Sequence, residues 1–147
     1  MVAARSILNI EPVLGCPFCL ENGMIPEHKI LERRRTAALI QEYSQNVPGT
    51  LQIIPVWDEM TPARWLQFLP DLFWLVWSHR LGVDFNLSIN FGSDAGQTLH
   101  HPHVWLIPRT GDFAGPGLAS LVALNARTKR ELGMSLEELL SSQLNSN

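Results

Sequence analysis

At 147 residues, 46% of them hydrophobic and 17% charged, the sequence has the size and composition of one folded domain with a single core. A formal net charge of −3 gives no general attraction to nucleic acid, so any affinity for phosphate must be local. The first fifteen residues place Glu11 and Pro12 where a secretory leader needs an apolar core, and no apolar run approaches the length that spans a bilayer. The expectation is a soluble cytoplasmic protein without a membrane partner, in which Cys16 and Cys19 stay reduced.

Residues 1–15 alternate weakly and read as an N-terminal arm or an added edge strand. In CPFC, Cys16 to Cys19, the cysteines are followed by Gly23 and Pro26, which interrupt any helix, so they belong to a turn leading into a strand near Lys29 to Glu32. A redox Cys-x-x-Cys opens a helix whose N-terminus lowers the thiol pKa; the breakers remove that helix and leave glutaredoxin-like chemistry as the remote alternative. Ala37 to Tyr43 and Leu51 to Val56 read as the next two strands, joined by a loop over Ser44 to Gly49, in an antiparallel meander. The basic run Arg33 to Arg35 reads as a solvated turn.

Thr61 followed by Pro62 is a helix start. Leu66, Leu69, Phe73 and Val76 then recur at helical spacing up to about Leu81-Gly82, a stripe expected to lie on the sheet, with Pro70 expected to kink or split the helix. Trp65, Trp74 and Trp77 read as core or dimer surface rather than as a base-stacking platform, and His79 as a helix-end cation. Asp84 to Gly92 alternates as a fourth strand, and Ser93 to Gly96 turn it back into a hairpin with the stretch that follows. Beyond Arg109, Leu118 to Leu132 reads as a helix closed by Gly133, and Ser135 to Leu144 as another, with Ser135 and Glu138 as a capping box and residues 145–147 frayed.

The stretch from Gly96 to Arg109, GQTLHHPHVWLIPR, concentrates the groups able to do chemistry. On a strand, His101, His103 and Trp105 project from one face while Pro102, Val104 and Leu106 form an apolar back, so the histidines line a cleft and the core holds the other side.

These residues resemble the histidine triad family, whose signature is His-x-His-x-His, preceded by Gly-Gln-Ser/Thr and followed by Ile-Pro-Arg: Gly96, Gln97, Thr98, His101, His103, Pro108 and Arg109 match. The similarity extends back through Cys16, Cys19, Ile25, Pro26, His28, Pro48, Gly49, Ile54 and Pro55, and it implies that His100, at a position the family leaves variable, faces solvent. It departs from the pattern at Trp105, in place of the third histidine, and at Thr50, in place of a turn histidine; a non-histidine third position is similar to the galactose-1-phosphate uridylyltransferase branch, where it is Gln. The resemblance implies one α+β domain over residues 1–147, with an antiparallel sheet of about five strands, a long helix and C-terminal helices (118–147), forming a homodimer. It implies hydrolysis or transfer of a nucleotidyl group at the α-phosphate, with His103 as the covalent nucleophile and His101 in support. Asn90, Gln97, Thr98 and Trp105 are then the substrate-binding residues, and the substrates are nucleotides, nucleoside phosphoramidates or dinucleoside polyphosphates. A structural zinc ion is implied on Cys16, Cys19 and His101, with Asp58 where the family has a fourth ligand, carboxylate being an acceptable one. The second reading, on the evidence of Trp105 and Thr50, is a nucleotide-binding module that has lost turnover.

Overall fold

A computed structural model describes residues 12–42, 47–79, 82, 84–111, 114–135, 137–138 and 141–142. The described residues fall into two compact units, divided between residues 113 and 114. In the first unit, strands β1 (Ile30–Arg33), β2 (Ala37–Gln41), β3 (Leu51–Pro55), β4 (Phe85–Ile89) and β5 (Val104–Pro108) and the helix α1 (Pro62–His79) make an α+β fold. The strands form one antiparallel sheet in the order β1-β2-β3-β5-β4.

Strand register divides the side chains between two faces. Leu39, Ile53, Val104 and Ile89 are aligned across β2, β3, β5 and β4, and all four join a core with Phe68 and Leu75 of α1. One residue along, Ile40, Gln52, Trp105 and Ser88 are aligned on the opposite face. There Phe18 and Ile25, from the segment before β1, pack with Ile40 and Ile54 as a second, smaller core. The helix therefore holds one face, and the face carrying polar Gln52 is left for the site.

Helix α1 starts as its sequence predicts, with the Thr61 hydroxyl accepting the Arg64 N–H at 3.3 Å. It differs from expectation in two respects. Pro70 does not split it: 18 residues run as one helix. The stripe laid on the sheet is also not Leu66, Leu69, Phe73 and Val76. The buried residues are Phe68, Asp71 and Leu75, with Trp65, Leu72 and Val76 partly buried beside them, whereas Leu66 is 73% and Phe73 66% exposed. The helix is apolar almost all round, so its rotation is decided by Asp71. That carboxylate accepts the Thr36 backbone N–H at 2.8 Å, the Thr36 hydroxyl at 2.7 Å and Arg34 Nε at 3.2 Å, pinning α1 to the β1–β2 connection. Nearby, Glu32 accepts Trp74 Nε1–H at 3.1 Å and pairs with His79 Nε2 at 2.6 Å, so His79 is a partner to a strand carboxylate as well as a helix-end residue.

Burial alone would raise the pKa of Asp71, but the hydrogen bonds from Thr36 and the Arg34 cation outweigh it and hold the carboxyl below its usual range. Asp71→Ala leaves those donors without their acceptor and is expected to cost about 2–3 kcal/mol in denaturant unfolding, with Asp71→Asn costing less because one acceptor oxygen remains. Because the folded pKa is depressed, this stabilisation is fully present above the ordinary carboxylate pKa of about 3.9 and is lost as pH falls through the folded value. Equal stability of wild type and Asp71→Ala near neutral pH would remove Asp71 as the determinant.

The second unit contains α2 (Leu118–Leu132), closed by Gly133 at φ 70° with its N–H donating to the Lys129 carbonyl. After it, the Ser135 hydroxyl accepts the Glu138 N–H at 3.2 Å and Glu138 accepts the Ser135 N–H, the expected capping box. Residues 1–11 of the arm expected over 1–15, residues 44–46 of the loop expected over 44–49 and the chain end at 143–147 lie outside the described residues.

Candidate active site and metal centre

The stretch after β4 turns through a short 3-10 segment, Ser93–Ala95, and Gly96 at φ 83°, a left-handed conformation that glycine adopts without strain. Gln97 is spent within this loop: its amide donates to the Leu99 and His100 carbonyls, both at 2.9 Å, and its carbonyl oxygen accepts the Gly92 N–H at 2.8 Å. Asn90 donates to the Gly96 carbonyl at 3.3 Å. Both residues therefore shape the approach to the histidines.

The strand begins only at Val104, so His101 and His103 stand on the segment leading into β5 rather than on the strand itself. Pro102 has no N–H with which to extend the ladder, which accounts for the late start. The alternation persists nonetheless: Val104 and Leu106 are buried in the core, while His103 and Trp105 both line a cleft on the opposite face. The two histidines are nearly enclosed, at 2% and 6% exposure.

Each histidine donates from one ring nitrogen to a backbone carbonyl, and since a carbonyl only accepts, that contact fixes the tautomer. His101 Nε2 lies 2.9 Å from the Pro55 carbonyl at the end of β3. Its Nδ1 lone pair then faces Cys16 Sγ at 3.5 Å and Cys19 Sγ at 3.6 Å. His103 Nδ1 lies 3.1 Å from the His101 carbonyl, which leaves Nε2 as the unprotonated nitrogen. Burial is the main cause of a lowered pKa at both, more than offsetting the carbonyl hydrogen bonds, so both are neutral imidazoles near pH 7.

The Cys16–Cys19 turn is held by Asn22, whose amide donates to the Val13 carbonyl at 2.7 Å and the Cys16 carbonyl at 2.9 Å. The turn runs into a single 3-10 turn, Leu20–Asn22, that ends at Gly23, so the thiols do not open an α-helix. Burial pushes the Cys19 thiol up to about 11, the opposite of what a redox nucleophile needs. The sulfur atoms and His101 Nδ1 all lie within 4.8 Å of one another. Two soft donors and an imidazole lone pair, the ring already oriented by its hydrogen bond to the Pro55 carbonyl, fit a zinc-type ion. Asp58 does not join this group of ligand atoms; it lines a cavity beside Cys16 and His101, together with His100, which is exposed as expected.

The cleft, about 390 Å³, is lined by Phe18, Glu42, Gln52, Thr98, His103 and Trp105 among others. Phe18 meets His103 edge-on with ring centres 5.0 Å apart, and Trp105 meets it at 5.5 Å and 62°, so the imidazole is walled by two aromatic rings. Of the expected substrate-binding residues, Thr98 and Trp105 reach the cleft. Phe18, Glu42 and Gln52 are not foreseen in the sequence reading. Gln52 had a visible signal, being the one polar side chain in LQIIP, a strand otherwise buried and apolar. Thr50, buried in the turn before β3, gives its hydroxyl to the Val47 carbonyl at 2.7 Å.

No family model and no curated protein matches the sequence. Solved structures do. A HIT family hydrolase from Clostridium thermocellum matches 72% of this chain and 98% of its own with a TM-score of 0.60 at 25% identity. A HIT family protein from Bacillus anthracis matches 91% and 98%, with a TM-score of 0.58 at 26% identity. A zinc-bound histidine triad family protein from Mycobacterium smegmatis matches 69% and 79%, with a TM-score of 0.55 at 23% identity. The fold is that of the histidine triad proteins. Among the described residues, no helix is long and apolar enough to cross a membrane.

Proposed function

We propose that this protein is a nucleotidyl hydrolase or transferase that works through a covalent intermediate on His103. The observation that carries the reading is the buried, neutral His103, with Nδ1–H committed to the His101 carbonyl and Nε2 left as a nucleophile in an aromatic-walled cleft. The likeness to the Clostridium thermocellum hydrolase supports it. In the first step the Nε2 lone pair attacks the α-phosphorus, a P–N bond forms, and the bond to the leaving group breaks, its electron pair departing with that group, which takes up a proton. In the second, water attacks the phosphorus and gives up a proton to solvent, the P–N bond breaks with its electron pair returning to Nε2, and the nucleoside monophosphate leaves with neutral His103 restored. Thr98 supplies an uncharged donor for the phosphoryl oxygens. Glu42 and Gln52, which also line the cleft, suit a nucleoside's hydroxyl groups. Rapid quenching with a nucleoside phosphoramidate or dinucleoside polyphosphate, followed by intact mass measurement, is expected to trap the protein carrying one nucleotidyl group. Tight nucleotide binding with no adduct and no product would favour the second reading, a binding module, for which Trp105 is the motivating residue.

Zinc on Cys16, Cys19 and His101 belongs to the same proposal. When bound it supplies a structural cross-link between the segment before β1 and the segment before β5. The thiols must lose protons on binding, so affinity rises with pH. For protein freed of metal by chelator, zinc at about 100 times its dissociation constant is expected to add about 3 kcal/mol of stability, a rise of about 8 °C in Tm for a chain of this size. Cys19→Ser is expected to abolish the rise, and an unchanged Tm in the wild type would rule out the ion.

The proposal extends to a homodimer. Leu66, Phe73 and Trp77 fall on one stripe of α1 and are 73%, 66% and 71% exposed, an apolar surface that suits a second copy. Sedimentation is expected to give twice the chain mass for the wild type and a shift to single copies in the double variant Phe73→Glu, Trp77→Glu; a wild type that sediments as one copy removes the dimer.

A further inference from the structure

Among the described residues the metal-ligand cluster gathers three donor atoms, Cys16 Sγ, Cys19 Sγ and His101 Nδ1, where a tetrahedral ion takes four ligands. Beside it lies a cavity of about 260 Å³, whose lining includes Cys16, His101, Asp58, His100, Pro17 and Leu99. The cavity is large enough for several solvent molecules, and Cys16 is only half-buried, so it gives access to the cluster. From this geometry we infer that an ion held here keeps its fourth coordination position open to the cavity, where it takes an exchangeable small donor, with Asp58 accepting a hydrogen bond from that donor rather than binding the ion. The inference rests on the metal reading of the proposed function.

Geometry distinguishes this arrangement from one closed by Asp58: the three donor atoms lie within 4.8 Å of one another, and the Asp58 carboxylate is not among them. A water molecule would complete the tetrahedral set, and Asp58, on the cavity wall, would accept a hydrogen bond from it. The cavity would then be a second ligand site, separate from the cleft beside His103, for small monodentate donors such as azide or imidazole.

Cobalt(II) in place of zinc makes the coordination visible without any activity assay. The full-length chain loaded with one equivalent of cobalt is expected to show thiolate-to-cobalt charge transfer. Azide is expected to shift the visible ligand-field bands saturably while leaving the charge-transfer intensity unchanged. Asp58→Asn is expected to keep that response and to weaken cobalt binding by no more than about 100-fold, the range for a residue hydrogen-bonded to a ligand; His100→Ala is expected to leave both unchanged. Bands indifferent to azide, or a larger affinity loss in either variant accompanied by an altered wild-type spectrum, would show a closed site and overturn the inference while leaving the metal reading intact. Absence of any charge-transfer band would overturn both.

Discussion

His103→Ala is expected to lower turnover of an activated nucleotide substrate by about 10⁴-fold or more, equivalent to at least about 5.4 kcal/mol of transition-state stabilisation, and to leave no adduct in the quenched protein. The size follows from the role. A nucleophile whose bond to phosphorus defines the pathway has no partial substitute, and the neighbouring imidazole of His101 is turned away, with Nε2 on Pro55 and Nδ1 on the thiols. The variant loses only one hydrogen bond and two aromatic contacts, so zinc-dependent stabilisation is expected to persist and to separate a catalytic loss from unfolding. In the wild type, the lowered pKa of His103 keeps the nucleophile unprotonated below the ordinary histidine value of about 6.5. The acid limb of kcat/KM is therefore expected to lie below that value, with activity falling as pH drops through the folded pKa. An unaltered adduct yield in His103→Ala would end the covalent reading.

The parts of this architecture legible in the sequence are those in which local chemistry and tertiary demand agree. The strands read over Ala37 to Tyr43 and Leu51 to Val56, the Thr61-Pro62 helix start and the Gly133 stop depend on neighbours close in the chain, and the structure has strands at Ala37–Gln41 and Leu51–Pro55, the helix start and the stop. The rotation of α1 was not legible, because several apolar stripes fit the same helix and the choice lies with Asp71 and partners 35 residues earlier at Thr36. A buried aspartate reads as a solvent-facing position until its donors are known. The same limit applies to the site. Spacing brings His103 and Trp105 to one face, but nothing local shows that Gln97 is consumed by its own loop, that Phe18 packs against His103, or that Glu42 lines the cleft. The strand boundary failed for a physical reason visible in hindsight: Pro102 between the histidines cannot donate to a ladder.

Trp105 is expected to make turnover depend steeply on the leaving group. Its indole lies 5.5 Å from the His103 ring and lines the same cleft, at the position where the histidine triad pattern has its third imidazole, which on the proposed mechanism would contact the departing atom. A general acid at that place contributes a factor of about 100 to 10,000. Indole has one N–H, which donates a hydrogen bond but does not titrate near neutral pH, so it offers the leaving group polarisation without a proton. What it adds is an apolar wall for a base or ribose. Nucleoside fluorophosphates and imidazolides, which depart without strong acid assistance, are expected to turn over about 100-fold or more faster than alkylamine or alkoxide derivatives. Trp105→His is expected to narrow that gap, mainly by raising kcat on the poor leaving groups. Single-turnover rates on the two substrate classes decide the matter, since they report P–N bond formation free of product release. Similar single-turnover rates for both classes in the wild-type protein would show that the proton arrives from elsewhere and that Trp105 shapes binding alone.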